Sequence, residues 1–253
     1  MPLFRAGWQA SPAAAVSSAP PSTAAGAAAS HAPHVDALAH IDLVVYAGYE
    51  IRAQYPSPYP LEELPGATPT PAPAPASTLT GEVKLFVCDR CFKYMALPAA
   101  YLAHQKECQI TKPPGRRVYQ RGATSIWEID GAQAKLYCQN LCLFAKLFIE
   151  HKYMFFDVES FTFYLLTEAM GKQEWVLGYF SKEKISYDDY NLACIVVFPP
   201  FRQRGWATLL IEFSYELSRR YSATPGTPER PLSELGQRGY LAYWISLLVR
   251  YFR

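Results

Sequence analysis

The sequence predicts a mixed α/β fold of the α+β type, with a zinc-binding segment on the N-terminal side of its main domain. Three observations predict it. Short β-branched and aromatic runs alternate with a few longer, apolar-faced segments. Three cysteines and a histidine recur at metal-ligand spacing. The run "NLACIVVF" passes through two prolines and a glycine directly into an amphipathic helix. A chain of 253 residues, half of them hydrophobic and 15% aromatic, can bury the core of one sizeable domain or two small ones. The net charge of +2 excludes a strongly basic surface as the main feature and leaves only local patches.

Residues 1–37 are rich in Ala, Pro and Ser and nearly uncharged, so they cannot bury enough apolar surface to offset the entropy of ordering; a disordered tail is expected. Residues 38–64 contain "HIDLVVYAGYEI", which reads as N-terminal strands. Residues 65–79, with "PGATPTPAPAPAS", read as a proline-stiffened linker. A cysteine-rich segment follows over 80–112, a globular core over 113–221 and a C-terminal segment over 222–253. No apolar run reaches the roughly 20 residues that span a bilayer, and the N-terminus lacks a basic flank before an apolar stretch. No membrane association is expected.

Within the core, "VKLFVC" reads as a strand entering the first cysteine pair, and "SIWEIDG" with "AKLYC" reads as a hairpin around Asp130–Gly131. "LCLFAKLFI" reads as a buried helix, and "WVLGYFSKEK" and "NLACIVVF" read as strands. Trp206, Leu209, Leu210, Phe213 and Leu217 recur at spacings of three and four and give the following helix one apolar face.

Cys88 and Cys91 are separated by two residues, His104 follows after twelve more, and Cys108 after a further three. Soft ligands at these spacings suit tetrahedral zinc, with the cysteine pair on a knuckle and the His/Cys pair one helical turn apart. Metal ligation in place of disulfides implies a reducing, intracellular compartment. The segment "FKYMALPAAYLA" carries one lysine and no arginine, whereas base readout needs Arg, Asn, Gln or Asp near the helix start. The finger reads as a structural staple, and no sequence-specific DNA binding is expected.

The junction "FPPFRQRGWAT" invites a second ligand. The first N–H groups of a helix lack internal partners and carry the positive end of its dipole, and a glycine there lets an anion approach the backbone. Arg202, Arg204, Gly205, Trp206 and Ala207 supply such a junction, sized for a diphosphate. It is neither a Walker loop nor a dinucleotide fingerprint, because no Gly-Lys-Ser/Thr follows and the glycine spacing is absent.

This junction resembles the acetyl-coenzyme A loop of the MYST family of histone lysine acetyltransferases. The stretches "SPYPLE", "CDRC", "KPPG", "WEIDG", "YCQNLCLFAKLFIEHK", "FDVE", "LGYFSKEK", "NLACIV", "LLIEFSYELSR" and "PERPLSELG" follow in that family's order, from about Gly48 to Tyr243. The brevity of the chain and the missing chromodomain resemble the fungal silencing-associated branch. The resemblance implies a GNAT-like core over 113–221 that binds acetyl-CoA, a C2HC-type zinc finger over 80–112 and a shortened C-terminal segment over 222–253. It further implies that Arg202, Gln203, Arg204, Gly205, Trp206, Ala207 and Thr208 cradle the coenzyme diphosphate, with Ser233 and Glu234 nearby. Cys194 matches the family's cysteine beside the thioester, Glu229 its general base, and Lys152 its autoacetylated lysine.

The chemistry agrees with these roles. A lysine ammonium, with a pKa near 10.4, must lose a proton before it attacks a thioester, so a carboxylate within reach is the useful neighbour. The N–H of Ile195, on a splayed strand, could stabilise the oxyanion. Direct transfer is the preferred route and an acetyl-Cys194 intermediate the runner-up. The resemblance also implies histone tails and nucleosomes as substrates, chromatin-complex subunits as partners and a nuclear location. The competing expectation is a catalytically weak homologue acting as a chromatin scaffold. Three departures stand out: Arg202 opens the loop where the family has glutamine, Ala207 and Thr208 replace its second glycine and lysine, and the family's C-terminal lobe is not matched.

Overall fold

The computed structural model of the chain describes residues 41–60 and 83–252. The tail expected over 1–37 and the linker expected over 65–79 lie outside the described residues. Strands β1 (Leu43–Tyr46) and β2 (Tyr49–Arg52) form an antiparallel hairpin. Its turn places Ala47 and Gly48 at φ of 51° and 78°. Strand β3 (Lys84–Val87) then adds parallel to β1, and β4 (Tyr94–Met95) adds antiparallel to β3, in the order β2-β1-β3-β4. The strands on either side of residues 61–82 thus share one sheet. Helix α1 (Pro98–Glu107) starts on a proline, whose fixed φ suits a first turn.

The second sheet is antiparallel throughout. Strands β5 (Arg116–Arg121) and β6 (Thr124–Asp130) lead into helix α2 (Lys135–Lys146), and β7 (Phe161–Met170) and β8 (Gln173–Glu183) return across the sheet. After β9 (Tyr190–Leu192) comes β10 (Ile195–Val197), and the sheet order is β10-β8-β7-β6-β5. Helix α3 (Trp206–Tyr221) follows, then β11 (Thr227–Pro228), which pairs parallel with β9, and finally α4 (Glu234–Tyr251). The architecture is the mixed α+β fold that the sequence predicts.

Two local expectations need correction. The hairpin at Asp130–Gly131 does not form, because "AKLYC" opens α2. Asp130 Oδ1 accepts the N–H groups of Ala132 (2.7 Å) and Gln133 (3.4 Å), which turns the chain out of the strand. Tyr137, Cys138, Leu141 and Cys142 then bury one face at helical spacing. The strand read through "NLACIVVF" is also two strands, broken at Ala193–Cys194. Ser181 of β8 bonds both sides of the break, its carbonyl accepting Ala193 N–H at 2.8 Å and its N–H donating to Cys194 O at 2.9 Å.

Four aromatic rings from four segments meet at the centre of the main core. Tyr46 of β1 lies with its ring centroid 5.8 Å from Phe92, 4.6 Å from Phe144 of α2 and 5.6 Å from Phe198. Phe144 and Phe198 are 4.7 Å apart, and all four side chains are essentially inaccessible to solvent. The Tyr46 hydroxyl donates to Val176 O at 2.9 Å, so its polar tip is satisfied where burial would otherwise penalise it. Phe198 stands directly before the two prolines that lead into α3, so this packing sets where that helix begins. Phe198→Ala should cost about 3–5 kcal/mol of stability in denaturant unfolding, whereas Tyr187→Ala, at a position 99% exposed, should stay within about 0.5 kcal/mol.

Candidate active site and zinc centre

The metal quartet assembles as its spacing predicts. Cys88 and Cys91 sit on the turn between β3 and β4, His104 lies within α1, and Cys108 caps that helix, its N–H bonded to His104 O at 2.8 Å. The four ligand atoms lie within 4.8 Å of one another, with Cys88 and Cys108 Sγ 4.0 Å apart and Cys91 Sγ 3.2 Å from His104 Nε2. Bonds of about 2.3 Å to sulfur and about 2.0 Å to nitrogen at tetrahedral angles require separations of this size. A hydrogen bond from Cys91 pulls the Cys88 thiol down against the opposing effect of burial, toward the thiolate that zinc binds. Donor set and geometry fit zinc, which the four residues would hold as a closed structural site.

The knuckle also reaches into the main core. Phe92, next to Cys91, adopts a left-handed φ of 61° and contributes one of the four central rings. A non-glycine residue holds that conformation only where its surroundings dictate it. Arg90 secures the other side of the finger, donating from Nη1 to Cys108 O at 2.7 Å and from Nη2 to Gln105 O. Helix α1 itself buries only Tyr101, so the finger is anchored through its knuckle and not through its helix.

The strand–helix corner is open at its tip. Gly205 caps α3 at φ 79°, and an added Cβ there would meet nothing within 4 Å. Backbone angle, not crowding, therefore requires the glycine. Gln203 also has positive φ, 64°. No side chain caps α3 and no acid lies in its first turn. The first helical bond runs from Leu209 N–H to Gly205 O at 3.0 Å, which leaves the N–H groups of Trp206, Ala207 and Thr208 free of helical partners. The Trp206 indole N–H is likewise buried without an acceptor among the described residues.

The two arginines divide. Arg202 turns back, its Nε donating to Val197 O at 3.0 Å, and burial pushes its guanidinium down from the ordinary value. It braces the end of β10. Arg204 is exposed beside the glycine, the better placed of the two to meet an anion.

At the other end of β10, Cys194 is half-buried at the break between strands. Its N–H donates to the Ser181 hydroxyl at 3.3 Å. On this edge strand Cys194 O and Phe198 N–H are bonded to β8, and in an antiparallel ladder the residues between alternate in direction, so Ile195 turns its N–H to the open edge. Lys152 is 4% exposed, with Nζ 3.9 Å from Cys194 Sγ. Burial works against its charge, but Cys142, Cys194 and the Glu229 carboxylate outweigh that effect and hold the ammonium above its ordinary range. Glu229 follows β11, tied by its N–H to Leu192 O at 2.8 Å. Burial and then the neighbouring Glu183 carboxylate push it up from the ordinary 4.5, with Lys152 pulling the other way.

Cys194, Lys152 and Glu229, nearly 80 residues apart at the extremes, therefore share one electrostatic neighbourhood, with Ile195 beside them. Ser233 caps α4, its hydroxyl accepting Gly236 N–H at 3.1 Å, and Glu234 lies in that helix's first turn. Sequence reasoning missed three neighbours. Ser181 holds both edges of the strand break, Cys142 lies against Lys152, and Glu183 acts on Glu229. Only the position of Ser181, between an aromatic pair and "KEK" on a strand, could have hinted at its part.

Fold and site together define a zinc-stapled α+β protein whose anion-receptive strand–helix corner follows one end of the edge strand β10, while Cys194, at the other end, gathers Lys152 and Glu229 from other segments. The MOZ/SAS family model matches residues 112–253, and that of the MYST family zinc finger domain matches residues 38–108. The chain belongs to the MYST (MOZ/SAS) family. It is 43% identical over 212 residues to "Histone acetyltransferase MOF" of Drosophila melanogaster, covering 84% of this chain and 24% of that protein. Identity to "Histone acetyltransferase KAT6B" of Homo sapiens is 43% over 211 residues, covering 83% of this chain and 9% of that protein. A "Histone acetyltransferase Tip60 homolog" of Caenorhabditis elegans is 46% identical over 166 residues, covering 66% of this chain and 36% of that protein. The matched region is thus well under half the length of each relative.

Because Phe92 is held against the core from the metal knuckle, loss of the metal should be felt beyond the finger. Stripping zinc with a chelator should lower the thermal midpoint of the whole chain and broaden near-ultraviolet aromatic signals, both restored by stoichiometric zinc. An unchanged midpoint would remove the staple role.

Proposed function

We propose that this protein is a histone lysine acetyltransferase that transfers the acetyl group of acetyl-CoA to a lysine amino group. The single observation that carries the proposal is that the edge strand β10 runs into an uncapped helix N-terminus at one end and starts beside Cys194 at the other, with Glu229 tied to the end of the preceding strand β9. Such a strand suits an elongated ligand with a diphosphate and a distant thioester. Family membership and the names of the three relatives support the same activity.

In this reading the backbone N–H groups from Arg202 to Thr208 bind the diphosphate, helped by Arg204, while Arg202 keeps β10 in place. Ser233 and Glu234, at the start of α4, border the coenzyme. Glu229 takes the proton of the acceptor lysine, which then attacks the thioester carbonyl directly. The outward N–H of Ile195 stabilises the negative charge that develops on the carbonyl oxygen. Cys194 lines the thioester side, and Lys152 is the residue that becomes acetylated on the enzyme itself. Histone tails and nucleosomes are the proposed substrates, chromatin-complex subunits the proposed partners and the nucleus the proposed location.

Acetyl transfer to histone peptides should fall by about 10²–10⁴-fold in Glu229→Gln, the usual worth of a general base; equal rates in both proteins would overturn the assignment. A raised carboxyl pKa means that the ionised base is lost to protonation at a higher pH than for an ordinary glutamate. The acid limb of the kcat/KM profile should therefore lie above pH 4.5.

A further inference from the structure

The direct transfer described above makes no covalent use of Cys194, yet it leaves a half-buried thiol against a buried lysine. Nζ of Lys152 stands 3.9 Å from Cys194 Sγ, and Lys152 is 4% exposed. The lysine is not held by any carboxylate at salt-bridge distance among the described residues, and its contacts in this neighbourhood are with two sulfurs, Cys194 at 3.9 Å and the fully buried Cys142, of which only Cys194 is partly open to solvent. Cys194 sits on the edge strand at the break between β9 and β10, which leaves it the more accessible of the two.

We propose that Cys194 and Lys152 form a peroxide-sensitive pair that closes into a covalent sulfur–nitrogen crosslink and reversibly blocks the site. Hydrogen peroxide is the oxidant. The Cys194 thiolate attacks one peroxide oxygen, the O–O bond breaks, and a sulfenic acid and hydroxide result. The hydroxide takes a proton from the Lys152 ammonium and becomes water. The freed amine attacks the sulfenyl sulfur; the S–N bond forms, the S–O bond breaks, and the departing hydroxide takes the second nitrogen proton as water. The sum is one thiolate, one ammonium and one peroxide giving one sulfenamide and two waters. Sulfur loses two electrons and the peroxide oxygens gain them. A thiol returns the pair to its starting state by attack on sulfur, as in disulfide exchange.

The geometry favours this outcome over the alternatives. A buried amine beside a newly formed sulfenic acid intercepts it before further oxidation to sulfinic acid, which is irreversible for most cysteines. The closed state removes the Cys194 thiol and the Lys152 charge together, which would change the wall of the proposed thioester site. The crosslink itself does not require the acetyltransferase reading; only its inhibitory consequence rests on that reading.

An acetylated Lys152 Nζ is an amide and cannot close the link, so the test is peptide mapping by tandem mass spectrometry on the zinc-loaded chain, confirmed by mass to be unacetylated at Lys152, after treatment with hydrogen peroxide. The expected product is a Cys194–Lys152 linked peptide lighter by two hydrogens than its unlinked components, reverting with dithiothreitol. In Lys152→Arg, dimedone should trap Cys194 sulfenic acid, and in Cys194→Ala the linked peptide should vanish. Cys194 joined to Cys142 in a disulfide, Cys194 carrying added oxygen with no link, or an unmodified Cys194 would each overturn the proposal. Acetyl transfer assayed on the same samples should fall at least about tenfold with crosslinking and recover on reduction. A crosslink formed in a protein that shows no transfer before treatment would leave the pair standing and remove the enzymatic reading instead.

Discussion

The packing of Phe198 against Tyr46, Phe92 and Phe144 is the constraint from which the rest of the site takes its position. Each ring comes from a different part of the chain: the N-terminal hairpin, the zinc knuckle, the helix α2 and the entry to α3. Aromatic contacts at these separations add about 0.5–1.5 kcal/mol per pair beyond burial, and their larger effect here is geometric. They fix the end of β10, and with it the point at which the chain turns through two prolines to expose its backbone at Gly205. Zinc enters the same argument from the other side, because it holds the knuckle that presents Phe92.

From this fixed end the edge strand runs back to a second constraint, the break at Ala193–Cys194. Ser181 bonds both sides of that break, so β8 neither loses β10 nor keeps it straight. Three chemically different groups gather at this break. A thiol, a buried ammonium and a carboxylate raised by its surroundings are a costly set to assemble, since each disfavours at least one charge state of another. Their mutual influence is visible in Lys152, which burial pushes down and which its neighbours Cys142, Cys194 and Glu229 hold above its ordinary range. Costly, mutually perturbed groups gathered at one place are the physical mark of a functional site.

Much of this was legible in the sequence, and the exceptions have physical reasons. The zinc ligands were readable from spacing, because ligand geometry ties sequence distance to a knuckle and a helical turn. The βα corner was readable because glycine, proline and a 3.6-residue apolar period are local signals. The false hairpin at Asp130–Gly131 arose from a turn signal that is equally a helix entry; the Asp130 side chain, by capping Ala132 and Gln133, settles it for the helix. The split of "NLACIVVF" was invisible because it depends on Ser181, on another strand. Cys194 and Glu229 carry no local signal of function at all. The match to a family's motif order singled them out, and the contacts with Lys152 and Leu192 that join them are tertiary.

The account stands on one claim, that the strand–helix corner and the cluster beside it together receive acetyl-CoA. Isothermal titration of zinc-loaded, folded protein with acetyl-CoA measures this without requiring turnover or a histone substrate. The account predicts saturable heat with a stoichiometry of one per chain, weakened by added salt because the diphosphate supplies much of the charge that is held. No heat, and no competition with a fluorescent coenzyme A analogue, from a chain whose aromatic core and zinc content are intact would contradict it.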